Sequence, residues 1–90
     1  MNESRSTQEQ IREFVMPMAE RVGVRSFSDD ESLTSTGIVG SLAVFRLVAF
    51  LEETFSVSIT DEEIAIENFD SIDKISSLLM SKLGLRRHTV

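Results

Sequence analysis

The stretch SLTSTGIVGSLAVFRLVAFLEETFSVSITDEE, residues 32–63, decides how this chain folds. Within it Val44, Leu47, Val48, Leu51 and Phe55 recur at the spacing of one helical face, which predicts the best-defined helix in the chain. Thr60 stands three residues before Glu63, a reciprocal capping pair that predicts a short helix running to about Ile66. Val57 and Ile59 alternate as a strand would, but the segment SVSI is too short and has no partner strand.

Helical spacing continues in both directions. Toward the N-terminus, Ile11, Phe14, Val15, Met18 and Val22 mark a second apolar stripe, opened by a Thr7–Gln10 capping pair. Pro17 falls inside that stripe, where it removes a backbone donor and crowds the preceding turn, so a kink or break is expected. Toward the C-terminus, Asp70 or Ser71 caps a last helix that buries Ile72, Ile75, Leu79 and Leu83, with Gly84 as its stop. Between Gly23 and Gly40 lies a long connection without period, in which Val24, Phe27, Leu33 and Ile38 can pin the loop across the helices. The expected fold is all-α: a four-helix bundle with a long loop between helices 1 and 2 and a short third helix. The expected boundaries are a disordered 1–6, a domain over 7–84, and a basic tail over 85–90.

Composition narrows the function. Ninety residues make one small domain with one modest core. A net charge of −6 repels phosphate and disfavours a nucleic-acid role. With no cysteine there is no disulfide, thiolate metal site or cysteine nucleophile. No apolar run is long enough to span a bilayer, and the start lacks a signal peptide's apolar stretch. A cytoplasmic monomer with no membrane insertion is the expectation. Charge is also uneven: residues 47–73 contain no Lys or Arg against eight acids, then Lys74, Lys82, Arg86 and Arg87 follow. Such a block is either a solvated face or a docking surface for basic partners.

The Gly37-Ile38-Val39-Gly40-Ser41-Leu42 turn, the Leu51-Glu52-Glu53 with Phe55 that ends the following helix, and the later DEEIAIENFDSIDKI resemble the acyl carrier protein family, most closely its freestanding members. The likeness covers roughly residues 7–83, and its order of elements agrees with the helices read from periodicity. It implies a carrier bundle in which Ser41 holds a covalent 4′-phosphopantetheine whose thiol carries substrate as a thioester. The implied partners are a phosphopantetheinyl transferase, an acyl or aminoacyl ligase and downstream acyl-processing enzymes, in lipid or secondary-metabolite biosynthesis. A hydroxyl at a helix mouth makes physical sense as a phosphate attachment point, because free N–H groups and the dipole favour the anion there. The arm also supplies the thiol that the chain lacks.

Departures from the family pattern cluster around that serine. Gly40 replaces the usual Asp, Ala43 stands where an acid is frequent, and Arg46 replaces the usual Glu. Gly40 preserves the backbone at a small cost to the cap, so its effect falls on recognition by the loading enzyme rather than on the fold. The residues expected to meet partners are Leu42, Phe45 and Arg46 near the arm and the acids Glu52, Glu53, Glu62 and Glu63. Phe45 lies off the core stripe, as either an exposed contact or a core-edge ring.

Catalysis by the chain itself has little support. Ser41 has no evident general base, and His88 sits in the basic tail. The acids Asp29, Asp30 and Glu31 lack the alternation and central glycine of a calcium loop, so a solvated turn is expected and no metal. Two functions follow: a non-enzymatic substrate carrier, and an unmodified carrier-like module used for docking or regulation.

Overall fold

The structure, a computed structural model, describes residues 6–88, with side chains through residue 84. The chain runs through α1 (Thr7–Arg21), α2 (Ser41–Phe55), two 3-10 turns (Asp61–Glu63 and Ile66–Phe69) and α3 (Ile72–His88). No strand occurs among the described residues, and none of their helices is long and apolar enough to cross a membrane. The all-α class therefore holds, with three α-helices among the described residues rather than the four expected. The expected short helix opens as predicted: the Thr60 hydroxyl accepts from Glu63 N–H and the Glu63 carboxylate accepts from Thr60 N–H. It stays 3-10 and ends at Glu63, and a second 3-10 turn closes the segment. Buried Phe69 in that second turn is what the segment contributes to the core.

Several helix ends differ from expectation by local chemistry. Ser6 rather than Thr7 caps α1, paired reciprocally with Glu9. The Ser6–Glu9 register prevails over Thr7–Gln10 because a carboxylate is a stronger acceptor for the cap N–H than a neutral amide. Pro17 does not break α1, which continues to Arg21. The ring lies on the exposed side, where water can serve the turn that proline interrupts. At its end, Gly23 takes a φ of 80°, Val24 N–H reaches the Ala19 carbonyl and Gly23 N–H reaches that of Glu20. This Schellman ending turns Val22 out, 49% exposed, although its spacing predicts burial. Ser71 caps α3, accepting Lys74 N–H at 3.0 Å. Gly84 does not stop it. The expected tail 85–90 is thus helical through His88, while its side chains, like all of residues 1–5, lie outside the described set.

One core joins everything. Ile11, Val15 and Ala19 of α1 meet Val44, Leu47, Val48 and Leu51 of α2 and Ile72, Ile75 and Leu79 of α3. Phe14, Met18, Phe55 and Leu83, expected in the core, pack against its edge. Helix α1 packs on α3, and the Phe69 turn wedges against both α2 and α3. The long loop is pinned as its apolar spacing implies, with Phe27, Leu33, Ile38 and Val39 buried and Val24 half-buried. Its polar anchor is Asp70, whose carbonyl accepts Leu33 N–H and whose carboxylate accepts Thr34 N–H, Thr34 Oγ1 and Ser32 Oγ. Those donors, the Thr34 hydroxyl first, hold the Asp70 carboxyl below its ordinary pKa. Loop closure thereby sets the position at which α2 begins.

Candidate functional site

The end of the loop delivers a serine to the surface. Gly37 takes a φ of 81°, a left-handed turn that a residue without Cβ adopts freely. Ile38 and Val39 then point inward and are buried, with Val39 N–H bonded to the Leu33 carbonyl at 3.0 Å. With those two side chains fixed inside, the next residues emerge outside. Gly40 is the N-cap of α2 in extended backbone, and Ser41 is the helix's first residue, exposed.

No side chain caps α2. The N–H groups of its first turn are left for solvent or an anion, and no acid stands in that turn to compete. A Cβ built at Gly40 meets nothing within 4 Å and its φ is ordinary, so an Asp fits there without strain. Leu42 is 80% exposed and Phe45 59% exposed, which settles the ring as a surface group. Arg46 is exposed one turn beyond Leu42 and forms no ion pair among the described residues. The predicted contact residues Leu42, Phe45 and Arg46 are thus exposed on the same opening turns of α2 as Ser41.

The four acids behave differently from one another. Glu53 and Glu62 are exposed, as a docking face requires. Glu52 is half-buried and its carboxylate accepts Ile59 N–H at 2.9 Å, tying the chain after α2 back onto the helix. Glu63 is engaged twice, in the Thr60 cap and with Lys82 Nζ at 2.6 Å. The Lys82 ammonium, followed by Thr60 N–H, holds the Glu63 carboxyl below its ordinary pKa. Glu52 and Glu63 therefore brace the fold as well as carrying part-exposed charge, while Glu53 and Glu62 stand outside. Sequence spacing showed the negative charge but not which carboxylates the backbone would claim.

Asp29 accepts from Gln8 and Arg12, while Asp30 and Glu31 bond Ser28, so this acidic turn is a hydrogen-bonded one. Among the described residues no three His, Asp or Glu side chains converge as metal ligands. The His88 side chain lies outside the described set. Arg21 was not anticipated: a guanidinium in the last turn of α1 carried no signal beyond its favourable place on the helix dipole. It shares with Arg46 the walls of a groove beside Ser41. In comparison with known proteins, no family model, no curated protein and no solved structure matches the chain.

Proposed function

We propose that this chain is an acyl or aminoacyl carrier, a cytoplasmic monomer that bears 4′-phosphopantetheine on Ser41 and presents its thioester to separate enzymes. The supporting observation is the exposed Ser41 hydroxyl at the uncapped start of α2, delivered there by the Gly37 turn and buried Ile38 and Val39. The residues fit the group. The hydroxyl is accessible, the first-turn N–H groups favour a phosphodiester, and no side chain overhangs the position of Gly40. The arm supplies a thiol for thioester chemistry, and the chain supplies its attachment, orientation and docking surface. In the bundle of such carriers the two 3-10 turns stand where the family has its third helix. A phosphopantetheinyl transferase, a ligase that charges the thiol and acyl-processing enzymes are the partners, met through Leu42, Phe45 and Arg46 with Glu53 and Glu62 outside them.

Gly40 carries the second reading, an unloaded docking or regulatory module, because the turn lacks the carboxylate by which the family's loading enzyme recognises it. The two readings separate on labelling. With a broad-specificity transferase and a fluorescent coenzyme A analogue, the wild-type chain becomes labelled, and Gly40→Asp becomes labelled faster. Equal rates would free Gly40 of blame. No label on either form would leave the docking module as the function.

A further inference from the structure

Beside Ser41, between α1 and α2, two adjoining cavities of about 260 Å³ each share Met18, Arg21 and Arg46 in their walls. The nearer one adds Val22, Ile38 and Leu42, giving it an apolar lining that reaches the start of α2. Phe14 stacked on Phe50, with ring centroids 4.3 Å apart, bridges the two helices. The groove is thus a feature of the packing rather than a gap in a loop.

Its charge is out of keeping with the rest of the molecule. The chain is acidic, at −6, and two cations of the fold are ion-paired, Arg12 with Asp29 and Lys82 with Glu63. Arg21 and Arg46, on different helices, face one space and neither is ion-paired among the described residues. No acid lines the nearer cavity; Glu13 lines the second one alone. Two guanidiniums brought to one groove repel each other, and an anion between them relieves that repulsion. Guanidinium is also the group best shaped to hold a carboxylate through paired N–H donors.

An occupant with an apolar stem and an acid head matches both features, and Ser41 stands between Gly40 and Leu42, which both line the nearer cavity. We infer that the groove holds carried acyl groups that bear a second, free carboxylate, such as the monothioester of a dicarboxylic acid or an acidic aminoacyl group. This inference rests on the carrier reading of Ser41. The tether makes a weak site sufficient, since a short flexible link gives an effective concentration on the order of mM. Arg21 and Arg46 then select cargo by charge and draw the loaded arm back onto the protein between enzyme visits.

The chain has no cysteine, so Ser41→Cys provides a unique thiol to which arms can be attached chemically. Three arms of equal length are compared on the full-length protein by backbone amide NMR: one ending in a carboxylate, one in its methyl ester, and one ending in a neutral amide with a phosphate at its root. The carboxylate arm should shift the amides of Arg21, Val22 and Arg46, and the ester arm should leave them in place. Adding Arg21→Gln and Arg46→Gln should abolish the shift, as should high salt. Equal shifts from acid and ester, no shift from either, or a shift that survives the double substitution would overturn the inference. Shifts from the phosphate-rooted arm equal to those of the acid would assign the arginines to the arm's own phosphate, which also overturns it. The transferase takes no part in this measurement. Failure to load Ser41 enzymatically would therefore sink the carrier reading separately, and the groove's result would stand or fall by itself.

Discussion

At the scale of single residues, the carboxylates divide into those that build the molecule and those that face outward. Asp70 is the clearest builder. It accepts from Thr34 Oγ1 at 2.6 Å, Ser32 Oγ at 2.9 Å and Thr34 N–H at 3.0 Å, fastening the long loop to the start of α3. Its pKa is depressed in the folded chain. Its stabilisation is thus complete above the unfolded carboxylate range and is lost as pH falls through the lower native value. Asp70→Asn should cost about 1–2 kcal/mol near neutrality, from hydrogen bonds to a charged acceptor weakened at a half-exposed site. The gap to wild type should narrow as pH falls from the ordinary carboxylate range down through the depressed native value, where the wild-type carboxyl protonates. Denaturant titrations across that range measure it, and a constant gap would show that the charge does not hold the loop. The sequence marked Asp70 only as a candidate helix cap, and Glu52 only as surface charge. Each accepts a backbone amide brought near by folding, Thr34 N–H for Asp70 and Ile59 N–H for Glu52, and amides leave no trace in residue type. The Ser32 and Thr34 hydroxyls that also reach Asp70 lie more than thirty residues away in sequence.

At the scale of elements, periodicity located all three helices, while their ends were governed by details that it does not contain. Helix α3 shows this best. Gly84 reads as a stop, yet α3 runs on to His88 with Gly84 inside it. A glycine there carries an entropic cost without a turn to justify it, and an added Cβ meets nothing within 4 Å. Gly84→Ala should therefore raise stability by about 0.5–1 kcal/mol, partly by restricting the unfolded chain. A loss of stability by thermal or denaturant unfolding would return Gly84 to the role of a stop. The short third element was legible in its Thr60–Glu63 cap, but not in its 3-10 geometry nor in the second turn that seats Phe69 against α2 and α3. Phe50 was similarly hidden, since it lies off the apolar stripe and is held by rings on both sides, Phe14 stacked and Phe55 edge-on.

At the scale of the whole molecule, one small core holds three helices and a loop in the arrangement that exposes Ser41. Leu51 is fully buried at the centre of that core. Leu51→Ala should cost about 2–5 kcal/mol, a large share of the stability of so small a domain. A near-neutral shift in the unfolding midpoint would contradict the packing described. The core shapes the site without contributing chemistry to it: burying Ile38 and Val39 turns Ser41 outward, and residues of both α1 and α2 line the arginine groove beside it. The carrier reading makes Ser41 the attachment point of the arm. The intact mass of the full-length chain after incubation with a phosphopantetheinyl transferase and coenzyme A, compared between wild type and Ser41→Ala, tests this. Wild type should gain one phosphopantetheinyl group and Ser41→Ala none. An unchanged wild-type mass, or the same gain in both proteins, would contradict that reading.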